Sequence, residues 1–178
     1  LNGATLVLYP SPVLDPNLLA KVLRHNEVTI LWLTAALFHL IGQRKTAILQ
    51  PVKTLLSGGD VLHAKVINQV LDTIPGITII NGYGPTENTT FSTAFTIPQG
   101  FDATVSLPIG RPINHRGVVV LDKYQQLAPL GAVGELYLFG SGVARGYLNQ
   151  PQLNSQCFID VNGDRAYKTG DLVRWRLD

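Results

Sequence analysis

Residues 77–90 read ITIINGYGPTENTT. Ile77 to Ile80 have the β-branched, apolar composition of a buried strand. The run then breaks into Asn81-Gly82-Tyr83-Gly84-Pro85-Thr86-Glu87. In open α/β sheets, ligands bind beyond the carboxyl ends of the strands. Glycine lets a ligand come close to the backbone and leaves amides and carbonyls free to bind it. Tyr83 offers a flat face for a base, Thr86 a hydroxyl for a phosphate oxygen, and Glu87 a hard oxygen suited to Mg²⁺. The inventory fits a nucleotide with its metal. The competing reading is a Gly-Pro turn carrying surface polar residues.

The flanking pattern sets the fold class. Upstream, a short apolar run covers residues 4–9, and Asp15-Pro16 supplies an N-cap followed by proline at the first helical position. Leu18, Leu19, Val22 and Leu23 then recur at helical spacing as far as Asn26. Residues 28–33 read as a strand, Thr34 caps a helix running to Ile41, and residues 52–56 form a strand before Ser57-Gly58-Gly59. A third helix spans Val61 to Val70 and ends before Pro75-Gly76. Strands and helices alternate, and the strands are near-continuously apolar. This predicts an α/β fold with a partial parallel sheet and flanking helices covering both faces. After about residue 105 the rhythm changes. RGVVVLD, GELYLFG and DRAYKTGDLVRW read as strands, with a turn at Val161-Asn162-Gly163-Asp164 and a short helical patch at Gln152–Gln156. The expected organisation is an α/β lobe over residues 1–105 and a small β-barrel-like subdomain or distorted sheet over 106–178.

Composition narrows the function classes. The 178 residues are 46% apolar and 15% charged, which allows a sizeable core and is not the signature of disorder. The net charge of +2 is spread along the chain, with no basic run to mark a nucleic-acid or membrane surface. No apolar stretch approaches the roughly 20 residues of a membrane span, and no signal peptide is visible. The single cysteine, Cys157, excludes an internal disulfide and points to a reducing, cytoplasmic setting. Asn88-Thr89-Thr90 matches a glycosylation sequon, with nothing else to suggest secretion. The chain begins with Leu and contains no Met, which reads as an internal piece of a longer polypeptide.

Other motifs are weighed by spacing. Gly140-x-Gly142-x-x-x-Gly146 is one residue longer than the dinucleotide fingerprint and lacks a neighbouring βαβ unit. There is no Walker A sequence. The histidines at 25, 39, 63 and 115 are scattered, and one cysteine cannot build a structural zinc site. Ser57 lies in Ser-Gly-Gly, not in a nucleophile elbow. YKTGDLVRW at 167–175 places Asp171 after a Thr-Gly turn, where its carboxylate could bind both hydroxyls of a ribose. The plain alternative is a turn aspartate bonding its own backbone.

Taken together, NGYGPTE (81–87), GELYLFGSGVARGYL (134–148) and YKTGDLVRW (167–175) resemble, in order and approximate spacing, motifs of the adenylation domains of nonribosomal peptide synthetases. The wider superfamily of acyl-CoA ligases and luciferases shares weaker versions. The resemblance implies the second α/β lobe and much of the β-barrel of such a domain's large subdomain. It also implies two half-reactions. An amino acid carboxylate attacks the α-phosphorus of ATP, and the aminoacyl group then passes to the phosphopantetheine thiol of a carrier domain. Carrier and condensation domains are the expected partners in the parent chain. Asn81 and Tyr83 would hold adenine, with Gly82 and Gly84 beside the nucleotide. Thr86 would touch the α-phosphate, Glu87 would hold Mg²⁺, and Asp171 would bind the ribose. The side-chain pocket would be lined by Trp32, Leu56, Gly58, Gly82, Thr90 and Phe91, a set similar to that of valine-activating domains. The family's phosphate loop and distal lysine would lie outside residues 1–178, so this stretch alone is expected to be inactive. The competing expectations are an acyl-CoA ligase and a non-catalytic interaction module.

Overall fold

The computed structural model describes residues 3–177. The chain folds as two compact units, one of residues 1–82 with 95–109, the other of residues 83–94 with 110–178.

The first unit is built on parallel strands. Helix α1 (Pro16–His25) starts where the sequence predicts, with the Asp15 carboxylate accepting from the Asn17 N–H at 2.8 Å and proline at the first turn. Strand β1 (Ile30–Thr34) runs directly into α2 (Ala35–Arg44), whose cap is the Thr34 hydroxyl. Strand β2 (Thr54–Gly58), helix α3 (Ala64–Thr73) and strand β3 (Thr78–Tyr83) follow. β1 pairs with β2 and β2 with β3, all parallel. Further along, β4 (Thr93–Ile97) and the short β5 (Arg111–Pro112) pair antiparallel, with Thr93 opposite Pro112 and Ala94 opposite Arg111.

The register separates the two faces of this sheet. Leu33, Leu55, Ser57, Ile79 and Asn81 share one face and are buried. Leu23, Phe38, Ile41, Ile67 and Val70 complete that core. Ser57 is accommodated there because its hydroxyl donates to the Leu33 carbonyl at 3.0 Å. Helices α2 and α3 approach closely at Gly42, where a Cβ would lie 2.5 Å from a Val66 methyl carbon. The other face carries Ile30, Trp32, Thr54, Leu56, Thr78 and Ile80, none of them buried, with Ile30 64% and Trp32 48% exposed. The expectation of a sheet covered on both faces is therefore corrected. Apolar strands on both faces state what the sheet can bury, and this chain supplies helices for one face.

A histidine pair ties α3 to α2. His39 Nε2 accepts from the His63 backbone N–H at 3.0 Å, and the two rings stack at 4.2 Å. The contact requires neutral His39. Burial, then the neighbouring His63 charge, lowers its pKa from the ordinary 6.5, against an opposing pull from Asp60. The native state thus binds fewer protons than the unfolded chain as pH falls below that ordinary value, so stability is present above it and lost below it. Replacing His39 by Phe should cost about 0.5–1.5 kcal/mol at neutral pH. It should also flatten the fall in melting temperature between about pH 7 and pH 5. Thermal melts of the intact domain across that range check both effects, and an unchanged pH slope would count against the latch.

The second unit is antiparallel. Strands β6 (Arg116–Leu121), β7 (Gly134–Gly140), β8 (Phe158–Val161) and β9 (Asp164–Val173) form a sheet of order β6-β7-β9-β8. Helix α4 (Pro151–Cys157) precedes β8. Asn162 and Gly163, both at positive φ, close a two-residue hairpin between β8 and β9. β6 and β8 are the ends of the sheet order, so this is a distorted open sheet and not a closed barrel. Gly140 and Gly142 are packing glycines: a Cβ would collide with the His115 carbonyl oxygen at the first and with the Arg116 guanidinium at the second.

Candidate nucleotide and amino acid site

In the first unit, β1, β2 and β3 bring four of the expected pocket residues together. Trp32 pairs with Leu56 and Gly58 with Gly82 across neighbouring strands. Leu56 and Gly58 are two apart on one strand and so project to the same side. Asn81 lies on the opposite, buried face, where its Nδ2 donates to the Pro108 carbonyl at 2.9 Å. That bond fixes the amide plane at the end of β3.

The second unit begins at Tyr83 and contains the rest of the motif. Thr86–Asn88 form a single 3₁₀ turn. Thr89 and Thr90 then both adopt positive φ, a costly conformation for β-branched residues. The backbone doubles back so that the Ser92 N–H donates to the Tyr83 carbonyl at 2.8 Å. This return passes so close to Gly84 that a Cβ there would lie 2.5 Å from the Thr90 carbonyl oxygen and 2.6 Å from the Ser92 nitrogen. Gly84 is thus required by space. Thr86 is exposed, Glu87 half-buried, Thr90 exposed and Phe91 half-buried. Asn88 is fully buried, with its amide donating to the Ser92 hydroxyl at 2.8 Å, so the sequon is closed to modification in the folded protein.

Asp171 reaches the same loop from β9. The register of β9 against β7 slips between Tyr137↔Lys168 and Glu135↔Leu172, which makes Thr169-Gly170-Asp171 a bulge inside one long strand. The Thr169 hydroxyl donates to the Leu136 carbonyl at 2.8 Å and accepts from the Asp171 N–H at 3.0 Å. The Gly170 N–H, at φ +78, donates to Glu135 at 3.1 Å. The bulge aims the Asp171 carboxylate at Tyr83, whose hydroxyl donates to it. Burial, followed by this hydrogen bond, pushes the Tyr83 phenol well above its ordinary range, so it stays a neutral donor. The Asp171 side chain is therefore not spent on its own turn.

Glu87 is fastened by residues 142–147. Its carbonyl accepts from the Ala144 N–H at 2.7 Å, and its carboxylate accepts from the Tyr147 hydroxyl at 2.5 Å. The neighbouring Thr89 hydroxyl donates to the Gly142 carbonyl at 2.9 Å. No cluster of three His, Cys, Asp or Glu side chains that could hold a metal exists among the described residues. Glu87 is thus a single hard-oxygen donor beside an exposed hydroxyl. That donor set fits Mg²⁺, which keeps several waters and takes one or two carboxylates together with substrate phosphates. Sequence alone assigns Tyr147 no part. Its only signal there is its place at the end of the Ala-Arg-Gly-Tyr-Leu run.

The Tyr83 phenol, the half-buried Glu87 carboxylate and Asp171 on its strand bulge thus lie in one folded unit around a glycine-dependent loop. Solved structures share this fold. PA1221, described as an NRPS protein containing adenylation and PCP domains, aligns in its inhibitor-bound form with a TM-score of 0.89 and 33% identity, over 95% of this chain and 30% of that one. The N-terminal subdomain of Klebsiella oxytoca NpsA, in complex with 3-hydroxyanthranilyl-AMSN, aligns with a TM-score of 0.87 and 28% identity, over 94% of this chain and 44% of that one. Gramicidin S synthase 2 of Brevibacillus brevis is 45% identical over the whole chain, which spans 4% of that protein's length. Tyrocidine synthase 3 of Brevibacillus parabrevis is 43% identical over the whole chain, which spans 3% of its length. The family model described as AMP-binding enzyme matches residues 1–148, and the chain belongs to that family.

Proposed function

We propose that this chain is part of an amino-acid-activating adenylation domain in a cytoplasmic peptide synthetase. In the first half-reaction, a carboxylate oxygen of the amino acid forms a bond to the α-phosphorus of ATP. The bond to the bridging oxygen breaks, and pyrophosphate leaves. The thiol of a carrier domain's phosphopantetheine arm then displaces AMP from the acyl carbon and forms a thioester. The observation that carries the reading is that three distant motifs meet in one folded unit, the Tyr83 hydroxyl of 81–87 donating to Asp171 of 167–175 and the Tyr147 hydroxyl of 134–148 donating to Glu87.

In this reading Tyr83 stacks on adenine and Asn81 hydrogen-bonds its edge, with Gly82 and Gly84 keeping the backbone close. Asp171 accepts from the ribose hydroxyls, and the Thr86 hydroxyl donates to an α-phosphate oxygen. Glu87 would hold Mg²⁺, which when bound offsets phosphate charge. The chain's own contribution is positioning and a fixed field of donors, the terms that dominate when charge develops on phosphate oxygens.

Trp32, Leu56, Gly58, Gly82, Thr90 and Phe91 would line the side-chain pocket. None of the six is charged, so an acidic or basic side chain would be buried unpaired, at a cost of several kcal/mol. By residue type alone, two aromatics would narrow such a pocket and two glycines would leave a little room, which would suit valine, then isoleucine, then leucine. The preference of valine over isoleucine rests on one methylene, worth about 1–3 kcal/mol. ATP–pyrophosphate exchange by the intact domain with all twenty amino acids is the test. Exchange with branched aliphatic amino acids is expected. A strong preference for a charged or aromatic substrate would overturn the pocket, and exchange with none would overturn the activity.

A further inference from the structure

No residue of the motif GELYLFGSGVARGYL is given a chemical role above, yet its last residues are where Glu87 is held. We propose that Tyr147 is a positioning residue that aims the Glu87 carboxylate at the divalent cation of the nucleotide. This inference rests on the reading of Glu87 as a magnesium ligand. Tyr147 is fixed on several sides before it reaches Glu87. Its backbone N–H donates to Asn154 Oδ1 at 2.6 Å, and Asn154 Nδ2 donates back to the Tyr147 carbonyl at 2.9 Å. Its ring meets Phe158 edge-on at 5.4 Å, and Phe158 in turn packs on Tyr167 at 5.3 Å. Gly146 makes the clamp possible, since at φ +135 a Cβ there would lie 2.7 Å from Asn154 Oδ1. The tyrosine is thus a rigid arm, and the hydroxyl at its tip donates to one Glu87 oxygen at 2.5 Å.

The same segment holds the turn at two further points, through Ala144 to the Glu87 carbonyl and Gly142 to the Thr89 hydroxyl. Those contacts fix the backbone of the turn. The Tyr147 hydroxyl, with the Tyr167 hydroxyl as a further hydrogen-bond partner of both groups, holds the carboxylate itself. A Glu side chain loses rotamer freedom when it binds a cation, and a partner that restrains it beforehand lowers that cost. Groups that orient a metal ligand in this way typically matter by about 10–100-fold in metal affinity.

The test uses the intact adenylation domain, with Mn²⁺ as a spectroscopic probe titrated by electron paramagnetic resonance beside a non-hydrolysable ATP analogue. Tyr147→Phe keeps the ring packing and removes only the hydroxyl. It is expected to weaken Mn²⁺ uptake at least about tenfold, while the melting temperature and the KM for the amino acid stay near wild type. In a Glu87→Gln background, Tyr147→Phe is expected to add nothing, because the tyrosine acts through the glutamate. Unchanged Mn²⁺ affinity in Tyr147→Phe, or the same weakening in both backgrounds, would overturn the proposal. If Glu87→Gln alone leaves Mn²⁺ uptake intact, the reading of Glu87 fails first and this inference with it. Should Tyr147→Phe not fold, Asn154→Ala loosens the same arm at its backbone and carries the same expected weakening.

Discussion

Gly84→Ala is expected to abolish most adenylation in the intact domain while leaving most of its secondary structure in place. The added Cβ would sit 2.5 Å from the Thr90 carbonyl oxygen, 2.6 Å from the Ser92 nitrogen and 2.9 Å from the Phe91 Cα. All three are backbone atoms, so no side chain can swing aside. Relief requires residues 90–92 to move away from Gly84, against the Ser92–Tyr83 hydrogen bond and the Asn88–Ser92 contact. Overpacking of this kind costs about 1–3 kcal/mol. The functional loss is expected to be larger, because the displaced loop carries Tyr83, Thr86 and Glu87. A misplacement of about 1 Å in positioned groups can cost on the order of 10²-fold in rate. Pyrophosphate exchange read beside circular dichroism and a thermal melt separates the two effects. Wild-type kinetics in this variant would mean that the loop is pliable and that its tight return is not needed.

Asp171→Ala should raise the nucleotide requirement roughly 10–150-fold, the equivalent of losing a hydrogen bond to a charged group worth about 1.5–3 kcal/mol. The structure supplies a control that the sequence alone does not suggest. The Asp171 carboxylate accepts from the Tyr83 hydroxyl, so its removal also frees that phenol. Tyr83→Phe breaks the same bond yet keeps both the aromatic face and the carboxylate. If Asp171 binds the ribose, Asp171→Ala should weaken ATP use much more than Tyr83→Phe does. If Asp171 serves only to hold the tyrosine, the two variants should match. ATP titrations of both variants, with melting temperatures recorded alongside, decide between these outcomes.

Local chemistry made much of the molecule legible from its sequence. Asp15-Pro16 and Thr34 start helices where capping rules place them, because a cap depends on residues within one turn. The apolar runs ending at Thr34, Gly58 and Tyr83 became parallel strands, and Asn162-Gly163 closed a hairpin. The three motifs and their order were likewise sufficient for the family, since they can be read without contacts. What could not be read was set by residues far apart in the chain. A near-continuous apolar strand does not say which face will find a cover, and the face bearing Ile30 and Trp32 is exposed here. The spacing of Thr169-Gly170-Asp171 looked like a turn between elements, but the pairing of β9 with β7 absorbs it as a bulge that directs Asp171 to a tyrosine 88 residues away. Gly84 reads in sequence as a flexible or ligand-facing residue, and only the returning backbone at Thr90–Ser92 shows that it is needed for space. Tyr147 carried no sequence mark of its tie to Glu87, 60 residues distant, because a hydrogen bond between side chains on different elements leaves no periodicity behind. The sequence determined the elements and the family through short-range rules, whereas the aim of each polar side chain was decided by tertiary packing, which alone brings its partner within reach.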